Sequence, residues 1–266
     1  MKLLLLALIG LVAVEAFSCK DQHNNDVDWW FAYKMPKVKN GNIAGIKDGH
    51  AFYYLDSNKP TFAASSNDLS SKSQAIAFTL QQYYDQKDDP SVFHAMYNDE
   101  EVPDEMPERE FLSNLTGIEL ASDEYGHTKG VTFFNQKDGV WYIHSVPKFP
   151  HAETYEYPAS GRTYAQSMLC LSLKYDQLSK IGTQMYFNHP DIYSSQLPIN
   201  MAHDNPDLAK SSLEECSEAN TRPDLPPQAL WILSPRVASS SALSLRLVNS
   251  AKTCMTALSP LISRLL

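Results

Sequence analysis

Positive charge, cysteine and glycine are all in short supply in this chain of 266 residues. Lys and Arg number 22 against 31 Asp and Glu, a net charge of −9, so no basic surface advertises nucleic-acid binding at neutral pH. Four cysteines are too few for a disulfide-dense mini-protein, and ten glycines exclude collagen-like or glycine-rich low-complexity sequence. Past the N-terminal segment no apolar run is long enough to span a bilayer. Glycine-rich phosphate loops and the Gly-x-Ser-x-Gly nucleophile elbow are missing. The eight histidines include no His-x3-His pair and the cysteines lie far apart, which argues against a zinc site and predicts no cofactor. What is present is 43% hydrophobic and 20% charged residues, enough to bury the core of one large domain or two small ones.

The N-terminus sets the compartment. Met1-Lys2 precedes an uncharged apolar run from Leu3 to Val14, and Val14-Glu15-Ala16 places small residues at −3 and −1 of a cleavage site. This reads as a signal peptide over residues 1–16, too short to be a membrane span. The expected destination is the secretory pathway, secreted or lysosomal. Cys19, Cys170, Cys216 and Cys254 then mature under oxidising conditions, with three pairings open. Asn114-Leu115-Thr116 is the one N-glycosylation sequon.

Residues 17–224 carry 17 Lys and Arg against 30 Asp and Glu. Within them, Val27 to Lys34, His50 to Leu55 and Ser91 to Tyr97 read as strands. Ser71-Lys72-Ser73-Gln74 reads as a capping box opening a helix that places Ile76, Leu80 and Tyr83 on one face. Lys129 to Phe134 and Val140 to His144 form a hairpin across the five residues ending in Asp138-Gly139. Thr163 to Leu173 fits either strand or helix, and Ser179 to Phe187 is a short helix ended by Pro190. The class is therefore mixed α and β. From about Thr221 the texture changes: Leu225 to Leu266 holds no Asp, Glu, Tyr, Phe or Gly, but four basic residues and many Ser and Leu. That tail reads as sequence from an unrelated frame or a retained intron, with a segment packed on the body as the plainer alternative.

The chemistry points to Gly126-His127-Thr128-Lys129-Gly130-Val131. On a strand, His127 and Lys129 project to one face. An imidazole can attack phosphorus or protonate a leaving oxygen, and a neighbouring ammonium stabilises phosphoryl charge. His-x-Lys alone is a weak signal, and a solvated strand end is the bland alternative. His144 reads as a core histidine satisfied by a hydrogen bond, with orienting the site as the alternative, and His151 as an exposed loop residue. Trp29, Trp30 and Tyr33 read as core rather than base-stacking platforms; Arg162 and Lys148 could touch phosphate, with surface charge the plainer account.

Wider context carries more. Val27 to Pro36, Tyr53-Tyr54-Leu55-Asp56, Tyr97-Asn98-Asp99, the His127 block, Trp141 to Pro150 with His144-Ser145-Val146-Pro147, and Thr163 to Cys170 follow one another in order. Together they resemble the deoxyribonuclease II family, of invertebrate type, over roughly residues 19–210. The resemblance implies a phospholipase D-like sheet with flanking helices, one half of a pseudo-dimer. It also implies an acid endodeoxyribonuclease that works without metal, through a phosphohistidine, and leaves 3′-phosphate ends. Two His-x-Lys motifs share that chemistry; the first maps onto His127 and Lys129. A family disulfide maps onto Cys19 and Cys170. An acid habitat suits the composition, since histidines of ordinary pKa, about 6.5, charge near pH 5 and the negative excess shrinks.

The resemblance ends near residue 215, giving units of 17–215 and 216–266. No second His-x-Lys exists: the residues two beyond the other histidines are Asn25, Phe52, Met96, Val146, Glu153, Asp191 and Asn205. The Asp that follows His-x-Lys in many phospholipase D-like enzymes is replaced by Phe134. DNA is the expected substrate. A homodimer would restore two histidines by symmetry, and a catalytically inactive secreted DNA-binding protein is the alternative.

Overall fold

A computed structural model describes residues 16–100 and 125–208. Residues 1–15 of the expected signal peptide, Asn114, Cys216, Cys254 and the compositionally distinct tail fall outside these residues. Ten strands are described. β1 (Cys19–Lys20) and β2 (Asp26–Val27) pair by themselves. The rest form one eight-stranded antiparallel sheet: β3 (Trp29–Lys34), β4 (Phe52–Asp56), β5 (Ala63–Ala64), β6 (Phe93–Tyr97), β7 (Gly130–Phe134), β8 (Asp138–His144), β9 (Gln166–Lys174) and β10 (Ile192–Gln196). Their spatial order is β10-β6-β7-β8-β9-β3-β4-β5. The mixed α/β class with a flanked sheet, expected from sequence, is the class observed.

Helices cover both faces. α1 (Ala75–Gln86) turns Ile76, Leu80 and Tyr83 into a core with Trp30, Ala32, Met96, Val131, Phe133 and Tyr142. On the other face α2 (Leu178–Asn188) and α3 (Ile199–Asp204) bring Leu178, Ile181, Met185 and Met201 against Phe93, Tyr97, Phe134, Trp141 and Leu171. Double coverage explains why β6 and β7 are buried at every position, the polar His94 and Thr132 included. Cys19 and Cys170 are joined by a disulfide, linking β1 to the middle of β9.

Local corrections follow from side-chain chemistry. α1 opens at Ala75, with Gln74 as the N-cap: its side-chain oxygen accepts from Ile76 N–H at 2.7 Å, and its amide donates to Tyr155 Oη at 2.7 Å. Ser71 lies three residues too early to cap. β8 begins at Asp138, so the hairpin turn is three residues, closed by Asn135 Oδ1 accepting from Lys137 and Asp138 N–H at 2.8 and 2.9 Å. Thr163 to Leu173 resolves as a strand because it must pair on both sides, with β8 and β3.

An antiparallel sheet delivers alternate strand ends to one edge. The ends of β3, β6 and β8 and the starts of β4, β7, β9 and β10 therefore share an edge. That edge carries Lys34, Asp99, His127, Lys129, His144 and Gln166 or the residues adjoining them.

Candidate active site

β7 starts at Gly130, so His127 and Lys129 stand in the approach to the strand. Gly126 positions this approach. Its N–H donates to His189 O at 2.8 Å, and Thr128 N–H returns to Gly126 O at 2.7 Å. A Cβ at Gly126 would overlap the Asn188 carbonyl oxygen, so only glycine lets the segment lie against the end of α2.

Asp99, just beyond β6, joins the two residues. One carboxylate oxygen pairs with His127 Nδ1 and the other with Lys129 Nζ. Burial is uneven: the His127 side chain is 75% exposed, Asp99 11% and Lys129 5%. The carboxylate thus neutralises a buried ammonium and orients an imidazole that looks into solvent. With Nδ1–H donating to the carboxylate, the neutral ring keeps its lone pair at Nε2. In the sequence Tyr97-Asn98-Asp99 stands out as a block but no local spacing gives Asp99 a role, and the position where many phospholipase D-like enzymes carry Asp is Phe134. Phe134 is buried at the far end of β7, so the carboxylate beside the histidine comes from the neighbouring strand.

His144 sits opposite Lys129, its N–H donating to Lys129 O at 3.2 Å. Its Nδ1 accepts from Val146 N–H at 3.1 Å, while Nε2 is buried without a partner. The expected core hydrogen bond is present, though it satisfies one nitrogen only. Burial, aided by the Lys129 charge, pushes the His144 pKa down to about 3. Its ring lies 4.9 Å from Tyr142 and 5.5 Å from Phe149, a neutral packed imidazole beside the site. Trp30 is fully buried; Trp29 and Tyr33 are half-buried. His151 is half-buried, and its Nδ1 accepts from Glu153 N–H at 3.3 Å.

A second buried cation lies along the same edge. Lys34 at the end of β3 donates to Arg162 O at 2.5 Å and Tyr164 O at 2.6 Å. Burial lowers its pKa to about 8. His50, before β4, is also lowered, by burial first and then by the Arg162 charge. Among the described residues no three or more His, Cys, Asp or Glu are grouped to hold a metal ion, and no helix is long and apolar enough to cross a membrane.

Comparison with known proteins gives this geometry a context. The family model described as Deoxyribonuclease II matches residues 18–253. Deoxyribonuclease-2 of Caenorhabditis elegans is 50% identical over 208 residues, 74% of this chain and 56% of that protein. Plancitoxin-1 of Acanthaster planci is 36% identical, covering 76% and 55%. Deoxyribonuclease-2-beta of Mus musculus is 35% identical, covering 74% and 52%. The chain spans about half the length of these curated relatives.

Proposed function

The chain belongs to the deoxyribonuclease II family, and from that premise we propose that it hydrolyses DNA phosphodiester bonds, with His127 and Lys129 as one catalytic half. The observation that carries this reading is the carboxylate of Asp99 shared between His127 and Lys129. It holds the imidazole by Nδ1 and leaves Nε2 toward solvent, the arrangement a nucleophilic or proton-transferring histidine needs. Lys129 keeps a fixed positive charge beside the place where phosphoryl oxygens gain negative charge.

The reaction runs without metal in two steps. An imidazole nitrogen attacks phosphorus, the bond to the 5′ oxygen breaks, and a second acid supplies the proton that oxygen needs. A phosphohistidine still bonded to the 3′ oxygen of the upstream fragment results. Water then attacks phosphorus, giving its proton to the group that protonated the 5′ oxygen, and the histidine leaves, so that a 3′ phosphate remains. His127 serves as one of the two histidines. His144 is a poor second acid, because a group with a pKa near 3 is almost wholly neutral at pH 5. A second copy of the chain would supply another His127 across a two-fold axis. The compartment is the secretory route, secreted or lysosomal, and residues 17–215 form the nuclease-like half with 216–266 as a separate tail. The main rival is a secreted DNA-binding protein without catalysis, favoured by the lack of a second His-x-Lys.

The test is plasmid cleavage at pH 5 in EDTA by the mature chain beside His127→Ala. Cleavage that the substitution abolishes supports a metal-free histidine nuclease. A folded wild-type chain that binds DNA and leaves it intact establishes the rival.

A further inference from the structure

The edge that carries His127 also carries cations without carboxylate partners. Lys20 pairs with Asp26, Lys87 with Asp88 and Glu153, and Lys174 with Asp138, while Lys37, Lys39, Lys47, Lys59 and Lys137, like Lys148 and Arg162, form no ion pair among the described residues. Lys148 lies on the connection after β8 and Arg162 on the approach to β9. Both are half-buried, and Arg162 Nε is buried without a hydrogen-bond partner. Asp48 and Asp68 lie near His50 in this region, yet neither pairs with Arg162.

The backbone bearing these two cations is tied by a series of hydrogen bonds that begins beside Asp99. Asn98, the residue before Asp99, donates from Nδ2 to Val146 O at 3.2 Å and Phe149 O at 3.0 Å, and its Oδ1 accepts from Lys148 N–H at 3.4 Å. Two consecutive residues thus fix both the His127–Lys129 pair and the turn bearing Lys148. That turn in turn holds the next loop, with Ser160 Oγ donating to Pro147 O at 2.6 Å. Arg162 is then locked from behind. Lys34 Nζ grips the carbonyls of Arg162 and Tyr164, Lys37 N–H donates to Thr163 O at 3.1 Å, and Tyr157 Oη donates to Gly161 O at 3.1 Å. Gly49, at φ +76°, passes where a side chain would strike the Arg162 backbone. A buried, uncompensated lysine is a costly way to secure a loop unless the loop's position matters.

We propose that Lys148 and Arg162 form a phosphate track that binds the DNA backbone to one side of the bond presented to His127. The inference rests on the nuclease reading above and adds how DNA is held. From Lys129 before β7 to Lys34 at the end of β3 is three strand spacings, roughly 14 Å at about 4.8 Å each. A DNA strand advances about 3.4 Å per phosphate along its axis, so the track reaches phosphates a few nucleotides from the reacting one. The recognition is of backbone charge, independent of sequence.

The test measures DNA affinity by fluorescence anisotropy at pH 5, from 50 to 200 mM NaCl, on the full mature chain carrying His127→Ala. Lys148→Gln and Arg162→Gln should each weaken binding similarly on duplexes of unrelated sequence. Each should also reduce the slope of log affinity against log salt by about 0.9. Arg162→Lys should keep the parent slope, separating charge from loop packing, and Lys137→Gln in the far-edge turn should change neither quantity. Unaltered slopes in both glutamine variants of a DNA-binding parent overturn the track alone. A parent that does not bind DNA overturns the nuclease reading and the track with it.

Discussion

Replacing Asp99 by Asn tests the central geometry through stability before any activity is measured. Lys129 is 5% exposed and Asp99 11%, so the substitution leaves an ammonium in the interior without a counter-charge. Breaking a buried ion pair from one side costs about 3–5 kcal/mol. The His127 side of the carboxylate adds little, because that ring is 75% exposed and exposed pairs contribute about 0–1 kcal/mol. Lys129→Met should cost less than Asp99→Asn, since the methionine fills the ammonium's apolar channel and the carboxylate keeps a partner in His127. The double variant should be more stable than Asp99→Asn alone, because the stranded charge is gone. Urea unfolding at pH 7, followed by tryptophan fluorescence from Trp30 and Trp141 in the sheet, gives all three free energies. A cost below about 1 kcal/mol for Asp99→Asn, with no recovery in the double variant, would falsify the claim that Asp99 neutralises a buried Lys129. Loss of the Nδ1 partner should also lower any cleavage about 10²-fold or more, as the imidazole loses its orientation.

Acid should destabilise the chain through two buried histidines. Burial lowers His94 to about 4 and His144 to about 3, so the unfolded chain, with histidines near 6.5, binds more protons between those values. The unfolded state is therefore favoured as pH falls below 6.5. At pH 5 each residue should remove on the order of 2 kcal/mol relative to pH 7 or above, and His94→Gln should flatten the urea midpoint between pH 7 and 5. Reducing the Cys19–Cys170 disulfide opens a loop of 151 residues, and chain entropy sets the loss at about 5 kcal/mol; a reduced chain with an unchanged urea midpoint contradicts this. Gly126→Ala should cost about 1–3 kcal/mol and displace His127, because the new methyl meets the Asn188 carbonyl; unchanged cleavage and melting would show the segment is free to move.

Much of the architecture was legible along the chain. Trp29 to Lys34, Phe93 to Tyr97 and Gly130 to Phe134 are dense in aromatic and β-branched residues, and such runs have few alternatives to a buried strand. Ile76, Leu80 and Tyr83 share a helix face by spacing alone, and all three are buried. Turn and cap positions were less legible: Gln74 caps α1 only because Tyr155, 81 residues away, holds its amide. Phosphate contact by Lys148 and Arg162 stood in the sequence only as an alternative to surface charge, because no local spacing shows which cations the fold brings to the edge beside His127.

The sequence by itself determined the compositional class, the strands and helices with strong periodicity, and His127 and Lys129 as a candidate pair, since these depend on residues a few positions apart. Tertiary structure decided the rest of the candidate site. Asp99 meets Lys129 across 30 positions because β6 and β7 pair in the register Tyr97 to Gly130, which brings the second residue after one strand beside the residue before the next. Lys34 reaches Arg162 across 128 positions because β3 lies beside β9. Charge neutralisation, burial and the shared sheet edge are properties of that pairing, and strand pairing joins residues far apart in the chain that local spacing cannot connect.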